Sequence, residues 1–172
     1  IKENILREAL EWIDEEIEEK FGKNLYFRKR ADFFINNKAL KKSNVEFADI
    51  YGIIEKYLLR VEGIEQIISK NSILQSNAQD KITKRLKNML HTHKSADIFA
   101  IESPNYIYKT PYGTSHGSPY DYDTHVPLIF SQKHFKLNLI NVPAATVDIA
   151  ATIAELLKIQ IPTFCDGTPL DI

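Results

Sequence analysis

The 172 residues include one cysteine, one methionine and one tryptophan, and they carry almost no net charge. Each shortage excludes something. The lone thiol, Cys165, cannot close an internal disulfide, so no disulfide framework shapes the chain, and one cysteine suits a reducing or an oxidising compartment equally. Twenty-two Lys plus Arg against 23 Asp plus Glu leave a formal charge of -1. No overall field therefore draws the molecule to a nucleic-acid polymer or to an anionic membrane. No apolar run approaches the roughly 18 to 20 residues of a membrane-spanning helix. A Gly-rich phosphate loop, a Ser/His/Asp catalytic order and a Cys/His pairing are also missing. The first residue is Ile1 and the only methionine is Met89, so a fragment of a longer chain is expected, and no charged-then-apolar targeting pattern opens it.

What is present suits a folded protein: 44% apolar, 26% charged and 10% aromatic residues, enough for one domain or two small ones. Ile5, Ala9, Ile13, Ile17 and Phe21 recur every four residues, which predicts a first helix stopped by Gly22. Residues 25–27 and 32–35 read as a strand hairpin, with Asn36 and Asn37 as turn residues. Apolar spacing predicts a helix from about Phe47 to Arg60, a strand at 64–68, a polar loop over 71–80 and a helix from about Gln79 to Leu90. Strands are expected at 97–102 and 106–109, then at 126–130 and 137–140, and a last helix over 146–158 precedes a coil tail. The order implies an α+β fold: helices packed on one face of a mostly antiparallel or mixed sheet. The composition shifts at Thr110, so the division expected is an α+β subdomain over 1–109 and a loop with a strand-helix segment over 110–172.

The loop TPYGTSHGSPYDYDTHVP, residues 110–127, concentrates the chemistry. His116, Asp121, Asp123 and His125 fall within ten residues, and imidazole with carboxylate suits zinc or a similar divalent ion. Gly117 would let a ligand or metal approach the backbone. The competing reading is a surface loop packed by Tyr120, Tyr122 and Pro127, its histidines bonded to backbone. His91 and His93 form an H-x-H pair after a helix, read as solvated imidazoles near its negative end. His134 reads as solvated, and Cys165, with no helix N-terminus or base nearby, as an inert thiol. Three functions stay open: part of a larger enzyme, a self-standing module whose Tyr-rich loop docks a partner, and a complete small metalloenzyme built on His116, Asp121, Asp123 and His125.

The segments GTSHGSPYDYDTHVPLIF at 113–130, VDIAATIAELLKIQIP at 147–162 and DGTPL at 166–170 resemble the C-terminal end of alkaline phosphatase superfamily enzymes. The nearest likeness is to bacterial phosphate-irrepressible alkaline phosphatases, relatives of the nucleotide pyrophosphatase/phosphodiesterases. KRLKNMLHTHKSADIFAIESPNYI at 84–107 and EKFGKNLYF at 19–27 share that look. The resemblance implies a central sheet between helices, two zinc ions, and hydrolysis of phosphate esters through a phosphoenzyme on a threonine or serine. It matches His116 to a late zinc ligand in a His-Gly loop, with His125 as the competing assignment. It further implies a periplasmic or secreted parent whose residues 1–109 are cap-like. Departures are plain: no Asp-His-Gly ligand pair occurs in the 172 residues, and Thr114, Ser115 and Ser118 do not match the nucleophile's setting. Ala151 stands where relatives often have proline. The chain is therefore expected to be inactive alone, with no zinc held by itself, and able to self-associate through truncated surfaces.

Overall fold

A computed structural model describes residues 1–108 and 116–172. The chain divides into two compact units, Ile1–His125 and Val126–Ile172. The first contains α1 (Glu3–Phe21), β1 (Tyr26–Lys29), β2 (Asp32–Ile35), α2 (Asn37–Ser43), α3 (Phe47–Leu58), β3 (Ile64–Ser69), α4 (Lys70–Gln75), α5 (Lys81–Met89), β4 (Ile98–Glu102) and α6 (Asp121–Thr124). The second contains α7 (Asp148–Leu156). No described helix is long and apolar enough to cross a membrane.

The sheet of the first unit runs β1-β2-β4-β3, and every pairing is antiparallel, so the α+β expectation holds. The four-residue spacing in α1 buries Leu6, Ala9, Leu10, Ile13 and Ile17 against α3 and one sheet face, where Phe33, Ile67 and Ile98 meet Ile50 and Ile54. Gly22 ends α1 at φ 92°, a backbone that side chains with a Cβ avoid. Helices do not keep to one face, as expected, but occupy both. Strand residues alternate, so Phe99 and Ile101 point away from Ile98 and form a second cluster with Ile68, Ile73 and Leu86 beneath α4 and α5.

Asn36, read as a turn residue, proves to be a helix cap, and so does Ser69, just ahead of the expected polar loop. Asn36 accepts the Ala39 N–H and starts α2, and Ser69 accepts the Ser72 N–H and starts α4 within the expected polar loop. The same chemistry that favours a turn satisfies the free N–H groups of a helix start. Residues 106–108, 126–130 and 137–140 form no strand, contrary to expectation. Apolar alternation selects faces for burial, but a strand also needs a neighbour for its backbone, and none of the described residues supplies one. Lys109, the end of the first of these expected strands, lies outside the described residues.

The seam between β2 and β4 rests on one bridging pair, Phe33 with Ile98, and on Asp97. Asp97 Oδ2 accepts the Ile35 N–H at 2.8 Å, and its Oδ1 pairs with Lys70 Nζ at 2.8 Å. Lys70 also donates to the Ser95 carbonyl at 3.2 Å. On the far side of the unit, Glu16 gathers Lys20 at 2.7 Å, Lys56 at 2.6 Å and the Tyr57 hydroxyl at 2.7 Å, tying α1 to α3.

Candidate functional site

The described part of the chemical loop begins at His116; Thr114 and Ser115 lie outside the described residues. Two backbone donors shape its start. Gly117 N–H and Ser118 N–H both reach Asp123 Oδ2, at 2.7 and 2.6 Å. Gly117 takes φ 107° with open space around a would-be Cβ, so the backbone angle and not crowding requires glycine. These N–H bonds, Ser118's first, hold the Asp123 carboxyl below the usual range. Asp123 thus fastens the loop to itself immediately after His116.

The rest of the loop is fastened to the fold. Arg85 of α5 donates to the Pro119 carbonyl at 2.8 Å and to Asp121 Oδ1 at 2.7 Å, and Lys81 reaches Asp121 Oδ2 at 3.3 Å. Arg85, then Lys81, lower the Asp121 carboxyl. The Tyr120 hydroxyl meets the Glu102 carbonyl at 2.7 Å and Glu65 Oε2 at 3.1 Å; burial first, then Glu65, pushes it up to about 12. Asn105 N–H donates to the Tyr122 hydroxyl at 3.0 Å, and the two tyrosine rings stack at 5.7 Å. The outcome is a turn hydrogen-bonded to β4 and α5. His116 stands exposed at its start, and His125 exposed at its end, its N–H on the Asp121 carbonyl at 2.9 Å.

This geometry separates the four expected ligands. Asp121 is spent on Arg85 and Lys81, and Asp123 on backbone N–H groups. Among the described residues no three His, Cys, Asp or Glu side chains form a metal-holding group. The described part of the loop offers single exposed imidazoles on a hydrogen-bonded turn, not a closed site.

No protein-family model matches the chain. Over 157 residues it is 28% identical to alkaline phosphatase PafA of Elizabethkingia meningoseptica, covering 90% of this chain and 29% of that protein. It is 28% identical over 162 residues to a calcium-transporting ATPase of Myroides odoratus, covering 92% and 30%. Alkaline phosphatase PhoV of Synechococcus elongatus is 26% identical over 144 residues, covering 80% and 26%. A crystal structure of wild-type PafA superposes with a TM-score of 0.78 at 27% identity, over 97% of this chain and 32% of that one. In sequence and fold the chain is similar to part of an alkaline phosphatase. It spans about a third of the length of the curated relatives it matches.

The other expected sites resolve from their own contacts. His93 N–H donates to His91 Nδ1 at 3.1 Å and His91 N–H to Ser95 Oγ at 2.9 Å, so the H-x-H pair builds a turn after α5. Ser118 Oγ is buried with no hydrogen-bond partner among the described residues, which removes it as an accessible nucleophile. His134 is exposed, and Cys165 is half-buried in the tail.

In the second unit, Asp148 accepts Ala145 N–H at 2.7 Å and Thr168 N–H at 3.0 Å. Thr152 Oγ1 donates to the Asp148 carbonyl at 2.7 Å and accepts Leu170 N–H at 3.0 Å. A Cβ at Gly167 would collide with the Val147 carbonyl. The helix and the DGTPL tail are therefore one built piece. Sequence reasoning missed Arg85, Asn105 and Thr152 as anchors. Thr152 did leave a signal: it is a polar residue four positions after Asp148 on the buried, apolar side of the helix.

Proposed function

We propose that this chain is the C-terminal portion of a zinc-dependent phosphatase or phosphodiesterase that cleaves phosphate esters through a phosphoenzyme, and that it is inactive alone. The likeness to PafA over 97% of the chain carries the reading. The names of two relatives denote an alkaline phosphatase and an ATPase, and both kinds of enzyme break phosphorus–oxygen bonds. The chain's part is to deliver one zinc ligand, His116, with His125 as the alternative. Its donor set suits one arm of a metal site: an exposed imidazole on a fastened turn, with the nearby carboxylates already committed. Zinc, when bound in such enzymes, lowers the pKa of the attacking hydroxyl and stabilises the leaving oxygen.

The chain's own residues hold and aim. Asp123 sets the His116–Ser118 backbone, and Arg85 and Tyr120 fix the turn on the sheet. Under this reading residues 1–109 are a cap-like subdomain, 110–172 belong to the catalytic domain, and the parent is periplasmic or secreted. The isolated chain binds no zinc tightly and self-associates through its open apolar surface. A Tyr-rich docking loop finds less support, because the Tyr120 and Tyr122 hydroxyls are both engaged within the molecule.

The test is hydrolysis of p-nitrophenyl phosphate with zinc present. The isolated chain should give no turnover above zinc alone. The polypeptide encoded by the complete gene should turn over, and His116→Ala should lower its kcat/KM by more than about 100-fold, beyond the cost of losing a ligand's supporting hydrogen bond. His125→Ala should change it only a few-fold. The reverse pattern transfers the ligand role to His125, and turnover by the isolated chain overturns the reading.

A further inference from the structure

From Lys81 to Ala96 the chain carries five basic residues, Lys81, Lys84, Arg85, Lys87 and Lys94, and no Asp or Glu. In a chain whose net charge is -1, positive charge is thus concentrated on α5 and the turn after it. A charge run of this kind is ordinarily a solvated helix face. Its position here is not ordinary. α5 is the helix to which the turn between His116 and His125 is fastened, through Arg85 on the Pro119 carbonyl at 2.8 Å and on Asp121 Oδ1 at 2.7 Å, and through Lys81 on Asp121 Oδ2 at 3.3 Å.

Helical rotation sorts the five. Ile82 and Leu86 pack into the second cluster, while Lys81, Lys84 and Arg85 share another side of α5. Lys87 is drawn back onto the Ser76 carbonyl. The carboxylates nearby do not cancel the shared side. Asp121 is one negative charge between Lys81 and Arg85, Asp123 is taken up by the Gly117 and Ser118 N–H groups, and Glu65 meets the Tyr120 hydroxyl. Asp80 caps α5 on the Thr83 N–H at 2.9 Å. Lys84 is exposed, and its ammonium has no partner among the described residues. The Lys81–Asp121 pair is loose, with side chains 75% and 62% exposed, so it does little to hold Lys81 from a second anion. His116 lies three positions before Pro119, a span of at most about 11 Å of chain. Exposed charges still act over roughly 8 to 10 Å at physiological salt.

We propose that Lys81 and Lys84, steadied by Arg85, form a cationic rim beside the His116 turn that takes a negatively charged group of the substrate lying beyond the phosphoryl group that is cleaved. The proposal deepens the phosphatase reading and rests on it. The substrate class is a phosphate ester that carries further phosphate, such as a nucleoside triphosphate. An ammonium engages phosphate as a point charge without fixed geometry, so the rim favours substrates by charge and not by shape. Its contribution raises kcat/KM at low ionic strength and fades as salt is added.

The test compares kcat/KM for adenosine triphosphate with that for p-nitrophenyl phosphate, using the polypeptide encoded by the complete gene with zinc present. In roughly 0.02 M salt, Lys84→Glu should lower the ratio of the two values about tenfold, and in about 0.5 M salt the ratio should return to that of wild type. Lys84→Gln, which adds no repulsion and covers the case in which Lys84→Glu fails to fold, should lower the ratio about threefold. A ratio that neither variant changes, or a fall that salt does not relieve, overturns the rim and leaves the phosphatase reading standing. Hydrolysis of neither ester by the wild type overturns that reading instead. Calorimetry with inorganic tripolyphosphate and no zinc then judges the rim: binding weakened at least about fivefold by Lys84→Glu upholds it, and binding that is absent or equal in both proteins overturns it.

Discussion

Asp97 joins three elements at the thinnest seam of the sheet, so its removal is the sharpest probe of the first unit. Its carboxylate takes the Ile35 N–H and the Lys70 ammonium, both at 2.8 Å, with the Lys70 side chain only 12% exposed. Asp97→Ala deletes two charge-assisted bonds and leaves the Ile35 N–H without an acceptor at a place where β2 and β4 share a single bridging pair. Bonds to charged groups contribute about 1.5–3 kcal/mol each, and the lower half of that range applies to Lys70, which keeps the Ser95 carbonyl. The expected loss is about 3 kcal/mol. For a unit of this size that is a fall in Tm of roughly 10 °C. Trp12, the only tryptophan, lies in α1 with its ring 5.8 Å from that of Tyr57, so its fluorescence during urea or thermal unfolding reports on this unit. A double-mutant cycle with Lys70→Ala should return a coupling above about 1 kcal/mol. A loss below about 1 kcal/mol, or additivity of the two substitutions, would refute the argument that Asp97 closes the seam.

Two further outcomes follow from the carboxylates. Glu16 is held near pKa about 2, below its ordinary 4.5, chiefly by Lys20 and then by Lys56 and Tyr57. A depressed pKa stabilises the fold above the ordinary value and loses that contribution as pH falls through the folded one. The stability gap between wild type and Glu16→Gln should therefore be on the order of 1 kcal/mol at neutral pH, after solvent screening, and close between about pH 4.5 and pH 2. A gap unchanged across that window would contradict the pairing. Asp123→Ala should speed amide exchange at Gly117 and Ser118 at neutral pH by about tenfold or more, with β3 amides unaffected; Asp123→Asn, which keeps an acceptor, should fall between. Equal exchange in all three proteins would show that the carboxylate does not fasten the turn.

The legibility of this chain follows from where each residue's partner lies. Periodicity located α1, α3, β3 and β4 because Ile13, Ile54, Ile67 and Ile98 report directly on burial within one compact unit. It failed at α2 and α4, where Asn36 and Ser69 carry a local signal that serves a turn and a helix cap alike. It also failed at 126–130 and 137–140, where the apolar pattern is real but no described residue pairs with the backbone to make a strand. The candidate ligands were legible by residue type alone. Their uses were not, because Asp121 is claimed by Arg85, 36 positions away, and no local pattern marks that pair.

Under the proposed reading, the contrast between His116 and its neighbours suits a ligand carried on a docked turn better than one on a free loop. A divalent ion held by several arms loses affinity for each arm that must be ordered on binding, so an imidazole whose backbone is already fixed loses less. Here the fixing is done twice over: Asp123 binds the two N–H groups that follow His116, and Arg85, Tyr120 and Asn105 bind the turn to α5, β4 and the segment after it. The carboxylates closest in sequence to His116, Asp121 and Asp123, are therefore the framework of the turn. Of the four apparent ligands, the two carboxylates are thus taken up inside the molecule, which leaves the imidazoles of His116 and His125 exposed.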